Sequence, residues 1–81
     1  MKKEQKIEKV RFRKFSPIDR DSPIFEVLSH EEIIFDISKG DESGEFELMF
    51  HKDISNKYMS VDLLIKILEN GKKLITKESD E

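Results

Sequence analysis

Glu45-Phe46-Glu47-Leu48-Met49-Phe50-His51 is the stretch that decides the fold. Phe46, Leu48 and Phe50 fall on one side of an extended chain, and Glu45, Glu47, Met49 and His51 on the other. That period of two is the signature of a β-strand. An alternation this clean belongs to an antiparallel sheet with one buried and one wet face. The spacing predicts a strand over 45–51 whose phenylalanine–leucine row faces a core.

Upstream, Ser38-Lys39-Gly40-Asp41-Glu42-Ser43-Gly44 is a polar turn with two glycines. Before it lies Glu32-Ile33-Ile34-Phe35-Asp36-Ile37, with Ile33, Phe35 and Ile37 on one face and Glu32, Ile34 and Asp36 on the other. Ser29-His30-Glu31 separates this run from Ile24-Phe25-Glu26-Val27-Leu28, and two such runs joined by a few polar residues read as a hairpin. Both prolines stand in the segment from Ser16 to Pro23, a loop. Lys9 to Phe15 alternates again, Val10 and Phe12 against Arg11 and Arg13. Strands are therefore expected near 9–15, 24–28, 32–37 and 45–51.

Downstream, residues 52–59 have no period. Ser60 then precedes Val61, Leu64, Ile65 and Leu68, spaced i, i+3, i+4 and i+7 as on a helix laid against a core. Ser60 suits an N-cap, Asp62 adds negative charge to the first turn, and Gly71 offers a left-handed C-cap. The helix is expected near 61–70, closing on the Phe46/Leu48/Phe50 row. The whole reads as an α+β domain over 9–75: a small antiparallel sheet, a three- to four-stranded meander, with one C-terminal helix packed on one face. Residues 1–8 are expected to be a flexible basic N-terminus, and 76–81 a flexible tail.

Eighty-one residues leave room for one core only. The chain has no cysteine, which excludes disulfides, thiolate metal sites and cysteine nucleophiles. No apolar run approaches the ~20 residues that span a bilayer, and the opening lacks the apolar core of a secretory signal. No membrane association is expected, and cytoplasmic residence is. Charge is uneven. Residues 1–14 hold seven bases and two acids, a net of +5, which leaves −8 on the remainder of a chain whose total is −3.

Candidate chemistry is sparse. His30 and His51 with neighbouring acids match no ligand spacing, and solvated loop histidines explain them. His51, Asp53 and Ser55 are the residue types of a triad but sit on one segment with no nucleophile elbow. The loop Gly40–Gly44 lacks the Lys-Ser/Thr of a phosphate cradle and carries acids that repel phosphate. Asp19 to Ser22 opens like a calcium loop, but Ile24 occupies the glycine position and His30 the bidentate glutamate position. No catalytic, metal or cofactor site is expected, and the chain reads as a non-enzyme.

Two binding roles remain. The first is a small protein-interaction or regulatory module, using the sheet face away from the helix through Ile24, Leu28, Ile34 and Met49. Its partner would be another protein or a second copy in a weak homodimer, and an edge strand could also pair. The second is a nucleic-acid-binding accessory protein using Lys9, Arg11, Arg13 and Lys14, where cations interleave with aromatics. Against it, Phe12 looks like core, and Arg11 and Arg13 are placed to pair with Glu26 or Asp36 on a neighbouring strand.

Overall fold

The computed structural model describes residues 3–19, 22–51 and 54–79. The other positions, 1–2, 20–21, 52–53 and 80–81, fall in the expected N-terminal segment, proline loop, irregular stretch and tail. The elements in chain order are β1 (Gln5–Lys6), β2 (Arg11–Phe15), β3 (Ile24–Ser29), β4 (Glu32–Lys39), β5 (Phe46–Phe50), β6 (Lys57–Tyr58) and α1 (Val61–Ser79). Strands β2-β3-β4-β5 form a four-stranded antiparallel meander in that order, and α1 packs on one face of it. The fold is α+β. Among the described residues no helix is long and apolar enough to cross a membrane.

Alternation sets which side chains meet the helix. Phe12 pairs with Val27, Val27 with Phe35, and Phe35 with Phe50; Phe25 pairs with Ile37 and Ile37 with Leu48. These rows make the helix-bearing face, and Phe25, Val27, Phe35 and Ile37 are buried at its centre. The register shifts at Val27/Leu28, which pair with Phe35 and Ile33, so Ile34 is the extra residue of a β-bulge. The bulge turns Ile34 into the core, where it is 3% exposed. Strict alternation had placed it on the opposite face.

The hairpin turns obey different chemistry. His30 (φ 52°) and Glu31 (φ 68°) both adopt the left-handed region between β3 and β4, as a two-residue primed turn requires. Neither is the Asn or Gly such a turn favours, so the turn holds local strain. Between β4 and β5, Gly44 supplies a positive φ of 71°, while Gly44 N donates to Gly40 O and Gly40 N to Glu45 O.

The helix starts as its sequence indicates. Ser60 Oγ accepts the Leu63 N–H at 3.1 Å, and Asp62 lies in the first turn. It does not stop at Gly71. It runs on to Ser79, so that residues 76–79 of the expected tail are helical. Gly71 is not a cap but the point of closest approach to the sheet: a Cβ there would stand 2.5 Å from Ile37 Cδ1. The sheet-facing stripe accordingly runs through Leu64, Ile67, Leu68, Gly71, Leu74 and Ile75, with Ile67 and Ile75 buried. Each of those two contributes about 1.5–3 kcal/mol of burial. Val61 and Ile65, expected in the stripe, lie on its exposed flank.

From residue 3 onward the N-terminal segment makes main-chain contacts with residues 56–58. β1 pairs in parallel with β6, Gln5 N donating to Asn56 O and Ile7 N to Tyr58 O, both at 2.7 Å. Asn56 Nδ2 donates to Lys3 O. This strap delivers Ile7, 4% exposed, into the core.

Candidate interaction surface

Helix α1 packs on β4 and β3, not squarely over β5. The row Phe46, Leu48 and Phe50 is on the helix-bearing face as its alternation indicates, but it stays open: 38%, 38% and 62% exposed. The helix overhangs it from one side. Lys72 Nζ lies 5.2 Å from the Phe46 ring centroid, with Lys39 Nζ at 5.9 Å. Leu68, Ile65 and Val61 stand four, seven and eleven residues before Lys72 and share its flank. The two apolar rows therefore form a groove, β5 as floor and the α1 flank as wall, instead of a closed contact. Near its lower end lies an open apolar recess of about 170 Å³ lined by Ile34, Phe35, Phe50, Tyr58, Met59 and Leu64, among others. There the Phe35 and Phe50 rings meet edge to face at 6.0 Å.

β5 is also a sheet edge. Glu45 O accepts from Gly40 N, and His51 N donates to Ile34 O. In an antiparallel ladder, bonding to one neighbour falls on every second residue. Residues 45, 47, 49 and 51 thus face β4, and Phe46, Leu48 and Phe50 turn their N–H and C=O groups outward. These three residues present exposed apolar side chains together with main-chain groups that have no partner among the described residues.

The surface expected from sequence is not the one found. Leu28 and Ile34 are buried at 2% and 3% exposure and cannot serve an interface; Ile34 is withdrawn by the bulge. Ile24 is half-buried, and Met49 alone of the four is well exposed. The face opposite the helix is mainly a polar row. Arg13 Nε donates to Glu26 Oε1 at 2.6 Å, Glu26 stands across from Asp36, and Asp36 from Met49. The Glu26 hydrogen bond, then its charge, raise the Arg13 pKa above its ordinary value. His51 Nε2 sits 3.1 Å from Asp36 Oδ1, but the pair lacks hydrogen-bond geometry and neither buried atom has another partner among the described residues.

Three of the four basic residues are held by carboxylates. Arg11 pairs with Glu31 at 3.1 Å, Arg13 with Glu26, and Lys14 with Glu78 at 2.7 Å. Lys14 alternates with Phe12 onto the helix side and so reaches the last turn of α1. Lys9 is exposed. A polyanion would have to displace Glu31, Glu26 and Glu78 to reach the other three cations.

The histidines do not converge. His30 borders an open recess of about 440 Å³ with Gln5, Ser29, Glu32 and Lys57, whereas His51 lies against Asp36. Within the recess Lys57 Nζ already binds Glu32 Oε2 at 2.9 Å and Gln5 Oε1 at 2.8 Å. No group of three or more His, Asp or Glu able to hold a metal ion occurs among the described residues. Asp53 of the triad-like segment lies outside the described residues.

Against protein-family models, curated proteins and solved structures, the chain gives no match. Function therefore has to be argued from the groove itself. Sequence reasoning missed that groove because the alternation of 45–51 shows which side chains share a face, not whether a helix is wide enough to cover them. One signal was present: β5 carries Phe, Leu, Met and Phe with a single acid, a composition unguarded for an edge.

Proposed function

We propose that the chain is a non-enzymatic protein-interaction module that engages a polypeptide along β5. One observation carries the reading: an edge strand, unpaired on its outer side among the described residues, whose three outward-bonding residues, Phe46, Leu48 and Phe50, also floor an exposed apolar groove. Edge strands are normally blunted by lysine, proline or a covering element. Strand addition draws affinity from main-chain hydrogen bonds and specificity from alternate side-chain pockets, and β5 offers both. The lack of cysteine accords with a reducing, cytoplasmic setting.

The test places a photo-crosslinking amino acid at Ile65, on the groove wall, in the full chain expressed in its own cell. Irradiation is expected to yield a protein adduct, with this chain or another, that disappears when Leu48→Lys is added. Absence of any adduct, or an adduct indifferent to Leu48→Lys, overturns the reading.

A further inference from the structure

We infer that the occupant of the β5 edge is a second copy of this chain, its β5 pairing antiparallel with the first about a two-fold axis through Leu48. The inference rests on the interaction reading above and narrows it to one partner.

The main chain supplies the first argument. The outward-bonding residues of β5 are Phe46, Leu48 and Phe50, which are symmetric about Leu48. Two-fold pairing centred there sets Leu48 against Leu48 of the second copy and Phe46 against its Phe50, and uses every outward N–H and C=O of both strands. Shifting the centre by one residue on the same strand, to Glu47 or Met49, leaves outward groups unpaired.

Side chains supply the second. In this register Phe meets Phe twice and Leu meets Leu, all on the groove face, where opposed aromatic and aliphatic pairs stabilise a sheet. On the other face Glu47 meets Met49, and Glu45 meets His51, the base-bearing end of the same segment. No acid faces an acid. The opposite edge fails the same operation: β2 folded on itself about Arg13 sets arginine against arginine.

The axis stands perpendicular to the sheet, so the two meanders join into one continuous eight-stranded sheet with both helices on the same side. Both exposed rows of Phe46, Leu48 and Phe50 then share one floor between the helix flanks that carry Val61 and Ile65.

Sedimentation equilibrium of the purified full chain from about 1 μM to 1 mM tests the inference over dissociation constants from micromolar to about millimolar. The native chain is expected to approach twice its 9.6 kDa mass. Leu48→Lys and Leu48→Glu, at a position 38% exposed, keep the circular dichroism of the native protein. Each alone weakens dimerisation by ~10-fold or more, and an equimolar mixture restores a one-to-one heterodimer, since only a residue on the axis meets its own counterpart. A native chain that stays monomeric at 1 mM overturns self-pairing. If the Ile65 adduct then proves to be a different protein, the interaction reading survives without it. A dimer that both variants leave intact, or that their mixture fails to restore, places the contact elsewhere and equally overturns the register.

Discussion

β2 and β5 are both five-residue edges of one sheet, and both are largely exposed. β2 reads Arg-Phe-Arg-Lys-Phe and engages each cation with a carboxylate, from the β3–β4 turn, from β3 and from the helix end. β5 reads Phe-Glu-Leu-Met-Phe, with one acid and no cation of its own. The two edges differ in what approaches them. A neighbouring strand at β2 meets charge along its length before it meets main chain, while at β5 charge stands only at the Phe46 end, with Lys39 and Lys72, and the rest is apolar surface beside amides that have no partner among the described residues. Exposure alone does not identify an interaction surface; what the exposed strand opposes to a newcomer does.

The largest expected effect tests whether the β5 end of the molecule is braced from below. Ile7 reaches the core through the β1–β6 strap and lines the open apolar recess beside Phe50. Ile7→Ala removes buried methyl groups beside an apolar recess that already lacks packing on one side. A loss of about 2–4 kcal/mol is expected by urea denaturation. A loss under ~1 kcal/mol means that the strap is ornamental and that β5 stands without it.

That strap also marks the limit of what the sequence disclosed. The antiparallel meander and the helix start were legible because Phe/Leu/Ile alternation and the Ser60 cap are local signals. Four features were not. Ile7 is one apolar residue in a polar run, and its partner segment lies some fifty residues on, so no local period announces it. Gly71 has two physical uses, cap or close approach, and only the position of Ile37 decides between them. The bulge at Ile34 changes facing without changing composition. The groove arises from where a helix crosses, a tertiary fact. Of the expected interface only Met49 remains well exposed, and of the two arginines expected to pair with Glu26 or Asp36, Arg13 does so with Glu26 while Arg11 reaches Glu31 in the turn instead.

A second prediction breaks the contrast between the edges directly. Arg11→Val with Arg13→Val strips β2 of two cations and leaves Phe12 and Phe15 beside new β-branched neighbours. Stability by urea denaturation should fall only slightly, chiefly because Glu26 is left across from Asp36 with no cation. Solution behaviour should change more. With both edges unguarded, strands can add at either end, and light scattering should report species growing with concentration beyond the parent's mass. A double variant with the parent's mass throughout would show that charge is not what protects β2.

The smallest effect separates two contributions that meet at Glu31. This residue holds an exposed ion pair with Arg11, the two side chains 85% and 52% exposed, and also adopts a left-handed conformation in the β3–β4 turn. An ion pair this solvated contributes about 0.2–1 kcal/mol, and a non-glycine residue in this region costs roughly 1–2 kcal/mol. Glu31→Ala loses the pair and keeps the strain, so it should destabilise by a few tenths of a kcal/mol, a difference that fades in about 1 M salt. Glu31→Gly loses the pair and relieves the strain, and should come out neutral to about 1 kcal/mol more stable. Glycine outranking alanine reverses the usual order of the two in ordered structure, so their ranking by thermal unfolding reads the turn's strain and not the charge. Alanine ranking above glycine would mean that the turn relaxes around residue 31, and that Glu31 serves the β2 edge alone.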